Sequence, residues 1–190
     1  MSKHVVSSDT KGIMETKKTI KYKCEDNYLD TAVFTKIKDV FEGGSIAWHY
    51  FGGTSSLTDD PKQFYFGHII YQNHAHVSPV GGEMAPLIDK INPMAIHRIR
   101  VNLMPRTEEP IESELHSDYD EGCPYPDRID LWSTSIFYLN DCDGYTKLED
   151  GTIIKSKANR LLTFAGDVRH LGASCTNKKR RLIVNLNYIT

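Results

Sequence analysis

The stretch Glu114-Leu115-His116-Ser117-Asp118-Tyr119-Asp120 sets a histidine and an aspartate one residue apart. On extended backbone, alternate side chains point to the same side, so an imidazole nitrogen of His116 and a carboxylate oxygen of Asp118 can reach a common ion. Two histidines and one carboxylate cover one face of an octahedral transition metal and leave the other positions open to small molecules. His170 is the candidate for the third ligand. It follows the apolar run Leu161-Leu162-Thr163-Phe164 and a Gly166-Asp167 turn, a context that presents an imidazole at a strand end. A histidine-x-aspartate pair by itself is short enough to arise by chance, so its weight depends on its company. Shortly beyond His170, Lys178-Lys179-Arg180-Arg181 leads into Leu182-Ile183-Val184-Asn185-Leu186-Asn187-Tyr188. That order places an arginine at the mouth of a β core, where a guanidinium needs a carboxylate partner.

Other groups of reactive residues are weaker. His74 and His76 in Asn73-His74-Ala75-His76 offer two nitrogens from one strand, but no nearby carboxylate completes a set. Asp141, Asp143 and Gly144 share residue types with a calcium loop but lack its regular acidic positions and terminal glutamate, which leaves a hairpin turn. The four cysteines, Cys24, Cys123, Cys142 and Cys175, form no CxxC pair, so free thiols are expected rather than a zinc knuckle or a disulfide framework. Trp48 and Tyr50 read as aromatics at a sheet edge. Immediately after Asp118, residues 119–128 show neither a period of two nor helical spacing, and their glycine and prolines argue for a loop. Such a loop begins beside the metal ligands, so it is a candidate lid, with Tyr119, Tyr125 and Trp132 as candidate substrate contacts.

These residues need a frame. Residues 18–24 alternate Ile20, Tyr22 and Cys24 against lysines, as a half-buried strand does. From Asp30 as N-cap, Val33, Phe34, Ile37, Val40 and Phe41 recur at helical spacing until Gly43-Gly44, and a second helix over 84–91 stops at Asn92-Pro93. From His97 onward the period becomes two: residues 97–103, 130–140, 152–155, 160–164 and 181–188 are strand candidates, and 63–71 is aromatic and β-branched enough to be another. No helical pattern separates the later strands, which points to a sandwich or jelly roll with the helices against one outer sheet. The 190 residues, 39% hydrophobic, suffice for one domain with a real core; residues 1–17 are expected to be a flexible or loosely docked terminus.

The ordered set His116-x-Asp118, Ile136-Phe137-Tyr138-Leu139-Asn140, Asn159-Arg160-Leu161-Leu162-Thr163-Phe164, His170 and Arg181 resembles the 2-oxoglutarate- and iron(II)-dependent oxygenase superfamily. Within it, the set is similar to the prolyl-4-hydroxylase-like branch, including small proteins of that kind carried by phages. The resemblance covers roughly residues 44–188. It implies a mainly β double-stranded β-helix with N-terminal helices packed on the larger sheet. It also implies Fe(II) held by His116, Asp118 and His170, and 2-oxoglutarate anchored by Arg181 with a hydrogen bond from Tyr138. Arg181 is preferred to Arg180 because it begins the alternating run and shares a face with Ile183 and Asn185; a slip of one residue would exchange them. Gly144-Tyr145-Thr146-Lys147-Leu148 departs from the paired glycines that usually open a strand in the nearest hydroxylases.

The activity so implied is hydroxylation of a peptidyl (prolyl-type) or small-molecule substrate. O2 is the co-oxidant, succinate and CO2 are released, and ascorbate is a reductant that such enzymes can use. Competing expectations are a jelly-roll metal-binding or sensing module without turnover, or a nucleic-acid demethylase of the same superfamily. A net charge of -2 and one short basic run argue against nucleic acid and against an acidic membrane surface. The first 19 residues contain no apolar stretch, so a cytoplasmic protein is expected. Oligomeric state is left open by the sequence.

Overall fold

The computed structural model describes residues 20–52, 62–119 and 126–190. Its strands in chain order are β1 (Tyr22–Glu25), β2 (His49–Phe51), β3 (Tyr65–Gln72), β4 (Ala75–His76), β5 (Ala95–Pro105) and β6 (Trp132–Tyr138). They continue with β7 (Tyr145–Leu148), β8 (Ile153–Lys155), β9 (Arg160–Ala165), β10 (His170–Gly172) and β11 (Arg180–Ile189). Helix α1 (Thr31–Glu42) lies between β1 and β2, and α2 (Ala85–Ile91) between β4 and β5. Among the described residues the strands form two antiparallel sheets. The larger runs β1-β9-β6-β11-β5-β3-β2, with β4 beside β3, and the smaller runs β10-β7-β8.

Each helix is bounded by the signals in its sequence. The Asp30 carboxylate accepts the Ala32 N–H at 2.9 Å, satisfying one of the unpaired donors of the first turn of α1, and the Gly43 N–H closes the last turn on the Asp39 carbonyl. A 3-10 turn, Gly81–Met84, leads into α2, which ends where Asn92 turns left-handed ahead of Pro93. Phe34, Ile37 and Phe41 form the buried stripe of α1. Each contributes roughly 1.5–3 kcal/mol by leaving water. They share one cluster with Leu87 of α2 and with Ile99, Val101, Phe137, Leu182, Val184 and Leu186 from the larger sheet.

The opposite face of the larger sheet turns inward. Ile136, Tyr138, Leu162, Phe164 and Ile183 pack there with Leu148 and Ile154 of the smaller sheet. The result is the expected jelly roll with the helices on its outer face. The register of the central strand β11 sets the inner face in rows: Arg98, Asn187 and Thr134; Arg100, Asn185 and Ile136; Asn102, Ile183 and Tyr138; then Met104 and Arg181. Alternation turns one set of residues of β5, β6 and β11 inward, toward the cavity and the inner apolar cluster, and the other toward the helix-covered core.

The first strand differs from expectation. It occupies Tyr22–Glu25 at the edge of the larger sheet, paired only with β9, so Tyr22 and Cys24 are exposed and Ile20 alone of the expected apolar residues is buried. Residues 18 and 19 and the expected flexible terminus 1–17 lie outside the described residues. β7 and β10, not anticipated as strands, are short and exist because they pair with each other, Leu148 opposite His170. Among the described residues no helix is long and apolar enough to cross a membrane.

Candidate active site

His116 and His170 come together through backbone pairing: each donates its N–H to the other's carbonyl, at 3.0 and 2.8 Å, in an isolated antiparallel bridge. Their ring centres are 4.8 Å apart. Asp118 completes the group, its Oδ2 lying 3.8 Å from His170 Nε2. One ligand atom from each of the three lies within 4.8 Å of the others, and among the described residues no other histidine, cysteine or acidic group of three does this. His116 Nδ1 sits 2.8 Å from the Glu114 carbonyl, which selects the tautomer that donates from Nδ1 and leaves Nε2 free as a ligand. The donor set therefore fits a divalent transition metal. Burial pushes the pKa of His170 down to about 4, which keeps the imidazole neutral and its lone pair available near neutral pH.

Asp118 is held from several sides. Asn185 Nδ2 and Asn187 Nδ2 donate to its Oδ2 at 2.9 and 3.0 Å, the Thr134 hydroxyl at 3.4 Å, and Arg98 Nη2 donates to Oδ1 at 3.2 Å. Burial alone would raise the pKa of this carboxyl. In the acid range where the carboxyl titrates, the positive fields of the then-protonated His170, of Arg98 and of His116, with the Asn185 hydrogen bond, outweigh burial and hold the group below the usual carboxylate range. Residue types alone did not assign this support to Arg98, Thr134, Asn185 and Asn187. The available signal was the presence of two asparagines at alternate positions of an otherwise apolar strand.

A cavity of about 240 Å3 opens over the triad and reaches Arg181. This side chain is fully buried. Its Nε donates to Ser156 Oγ at 2.7 Å, Nη2 to Thr146 Oγ1 at 2.9 Å and Nη1 to the Met104 sulfur at 3.4 Å. All three partners are neutral, and among the described residues no carboxylate lies within ion-pair distance. Gly144 makes the seat: a Cβ there would stand 2.7 Å from Arg181 Cδ. Arg180 projects to the other face, with Glu42 at 3.8 Å.

Tyr138 is not placed as expected. It is buried beneath the Arg181 guanidinium, 5.6 Å from ring centre to Cζ, and its hydroxyl donates to Thr146 Oγ1 at 2.9 Å instead of pointing into the cavity. Thr146 does line the cavity. Its oxygen already accepts from Tyr138 and Arg181, so its own proton is left to donate. Nothing local marks Thr146 in the sequence, where it stands between Tyr145 and Lys147 in the segment that departs from the hydroxylase pattern.

Tyr119 and Trp132 do not line the cavity either. Tyr119 is buried, donates its hydroxyl to the Ser133 carbonyl at 3.0 Å and packs on Trp132 at 5.4 Å, so the two aromatics brace the segment that carries Asp118. Tyr125 and most of the expected lid, 119–128, lie outside the described residues, as does Cys123. His74 sits in the turn between β3 and β4. Asp143 closes a loop by accepting from the Thr176 and Asn177 backbone. Trp48 packs against the helix-side core, and Tyr50 is exposed on the adjoining edge, stacked on Phe64.

No protein-family profile matches the sequence, and no curated protein matches it in sequence. Solved structures do match in shape. An oxidoreductase of the 2OG-Fe(II) oxygenase family from Burkholderia pseudomallei is 11% identical, with a TM-score of 0.62, covering 88% of this chain and 84% of that one. The non-haem alpha-ketoglutarate-dependent epimerase SnoN from nogalamycin biosynthesis is also 11% identical, with a TM-score of 0.62, covering 90% and 78%. A prolyl hydroxylase from Trichoplax adhaerens, in complex with a hypoxia inducible factor oxygen degradation domain peptide fragment, is 16% identical, with a TM-score of 0.58, covering 88% and 83%. The chain thus has the fold of the 2-oxoglutarate- and iron(II)-dependent oxygenases. Prolyl hydroxylases are among the structures that share it.

Proposed function

We propose that the protein is an Fe(II)- and 2-oxoglutarate-dependent dioxygenase that hydroxylates a peptidyl (prolyl-type) or small-molecule substrate, releasing succinate and CO2. The observation that carries this reading is Arg181: a fully buried cation with no counter-charge among the described residues, in the cavity that also holds a two-histidine, one-carboxylate triad. A guanidinium has five N–H donors. Three are committed to Ser156, Thr146 and Met104. One N–H therefore remains on each terminal nitrogen, a pair suited to the two oxygens of a carboxylate.

In this reading Fe(II), once bound, supplies the oxidising chemistry with O2 and 2-oxoglutarate, and the protein's own residues position the partners. His116, His170 and Asp118 would hold the ion on one face. Asn185, Asn187, Thr134 and Arg98 fix the carboxylate in its charged form, so the ligand set needs no rearrangement when the ion arrives. Arg181 and Thr146 take the distal carboxylate of the cosubstrate, with Tyr138 and Ser156 locking the guanidinium from behind. Ile136 and Ile183 keep the cavity between them apolar, which strengthens each of these charged contacts. The epimerase that shares the fold, alpha-ketoglutarate-dependent and also solved with Fe3+, alpha ketoglutarate and nogalamycin RO, supports a metal- and cosubstrate-dependent activity, and with the peptide-bound prolyl hydroxylase it spans small-molecule and peptide ligands.

The test is succinate formation from 2-oxoglutarate in air with added Fe(II), and ascorbate as reductant, alongside anaerobic titration of the Mn(II)-loaded protein with 2-oxoglutarate. Saturable binding that disappears on Arg181→Ala, with succinate formed only when Fe(II) is present, is the expected outcome. Metal binding without any 2-oxoglutarate affinity would instead identify a metal-binding module.

A further inference from the structure

The same cavity contains a second set of unfinished polar groups, away from Arg181. Arg100 Nε, Asn102 Oδ1, Gln63 Oε1 and Asn185 Oδ1 are buried side-chain atoms without a hydrogen-bond partner, and all four residues line the cavity. Arg100 and Asn185 face each other across the ladder and Asn102 is the next inward residue along β5, whereas Gln63, three residues before the Phe66 that pairs with Leu103, belongs to the far end. Buried polar groups are ordinarily paired, so the three orphans that lie together mark a missing partner. Arg100 makes no side-chain hydrogen bond or ion pair among the described residues. Its guanidinium lies instead against two parallel rings, 5.4 Å from Phe51 and 5.2 Å from Tyr65. Gly67 makes room for that platform, since a Cβ there would stand 2.6 Å from the Phe51 ring. The nearest arginine on its strand face, Arg98, is already paired with Asp118, so it does not share the orphaned role.

Arg100 and Arg181 cannot serve one carboxylate. In register, Arg181 lies opposite Met104, four residues from Arg100 and thus about 13 Å along β5. The side chains then diverge, Arg181 to Thr146 and Ser156 under the smaller sheet, Arg100 to the rings of β2 and β3. Arg100 pairs across the ladder with Asn185, which donates to the metal ligand Asp118. The second set is therefore on the metal side of the cavity. Its chemistry is one cationic donor beside two amide oxygens, so the complement is an anion carrying N–H donors close by. Water could fill the oxygens but brings no charge to Arg100.

We infer that this corner holds the carboxylate and adjacent N–H of the prime substrate, which is a free amino acid or the C-terminal residue of a peptide. Arg100 takes the carboxylate; Asn102 and Asn185 accept from the nitrogen, an ammonium offering each its own N–H and a peptide amide one shared N–H. The inference rests on the oxygenase reading above and deepens it by naming the substrate class.

The experiment uses the full chain loaded with Mn(II) and saturated with 2-oxoglutarate, titrated calorimetrically with the free L-amino acids, with their carboxamides, and with tripeptides bearing a free or an amidated C-terminus. At least one free acid should bind, its amide at least tenfold more weakly, and Arg100→Gln should lose that binding at least tenfold while Arg100→Lys loses less. A preference for free tripeptides over free amino acids selects the peptide end as the source. Asn102→Leu serves as the second variant, expected to weaken the acid several-fold, and thermal melts establish that each variant is folded. Equal binding of acids and amides, equal binding by wild type and folded Arg100→Gln, or no binding of any member of the panel would overturn the inference. The same preparations are titrated with 2-oxoglutarate alone. If Arg100→Gln weakens that titration as much as the amino acid's, Arg100 belongs to the cosubstrate and the inference falls. If wild type shows no 2-oxoglutarate binding at all, it is the oxygenase reading that fails.

Discussion

On the outer face of the larger sheet, Leu182, Val184 and Leu186 of β11 share an apolar layer with Phe34, Ile37 and Phe41 of α1. On the inner face of the same strand, Arg181, Asn185 and Asn187 project toward the cavity or the metal carboxylate. The outer layer is apolar: Leu182, Val184 and Leu186 are buried against the helix side chains and carry no polar group for a ligand to satisfy. The inner layer is unfinished, with a guanidinium lacking an anion at one end and orphaned polar atoms of Arg100, Asn102 and Asn185 toward the other. Folding alone does not favour burying such groups without partners, so the difference separates what the strand does for stability from what it does for binding.

The sharpest test of this contrast is His170→Ala, which removes a metal ligand from the inner face and should reduce Fe(II)-dependent 2-oxoglutarate consumption below detection. Succinate assay at saturating Fe(II) measures it; retained turnover would remove His170 from the ligand set. On the outer face, Phe137 meets Phe34 and Tyr28 edge-on, with centroids 5.9 and 6.4 Å away. Phe137→Ala should therefore cost about 3–5 kcal/mol in urea unfolding. A loss under about 1 kcal/mol would mean that the helix layer collapses readily around the gap and that the outer face is not tightly packed.

Between these extremes stands the pair of neighbouring arginines. Arg181→Lys keeps the charge but loses the fork, and should weaken 2-oxoglutarate binding roughly 10- to 100-fold, the worth of a charge-assisted contact. Arg180→Ala, on the opposite side of the strand and outside the cavity, should change it less than about twofold, since its half-buried pair with Glu42 does not reach the site. Similar effects at both positions would erase the distinction between the faces.

The smallest effect is expected at the rim, where Arg160 and Lys157 hold Asp26 by hydrogen bonds and lower its pKa from 3.8 to about 2. Because the folded pKa is the lower one, this contribution is present above the unfolded value of 3.8 and is lost as pH falls through 2. Asp26→Asn should cost about 0.2–1 kcal/mol at pH 7 and flatten the acid limb of a stability-against-pH curve between those values. An unchanged acid limb would show that the clasp carries no linkage.

Local period and local capping were legible in the sequence wherever a strand or helix is covered on one face, though not at the edge strand β1, where Tyr22 and Cys24 are exposed. Alternation along Leu182 to Tyr188 specifies a strand with two unlike faces, Asp30 and Asn92-Pro93 bound the helices, and the His116-x-Asp118 pair with His170 supplies metal-binding residue types. Period tells which side of a strand a residue takes; it does not tell what stands opposite. The tertiary structure decided that Arg181, not Arg180, enters the cavity, that Tyr138 works through Thr146, and that Tyr119 and Trp132 brace the Asp118 segment instead of facing the cavity. It also decided that Asn185 and Asn187 hold Asp118 across 67 and 69 residues of chain. The physical reason is the same in each case: hydrogen bonds and charge pairing act over a few ångströms of space, and only the register of distant strands brings the partners within that range.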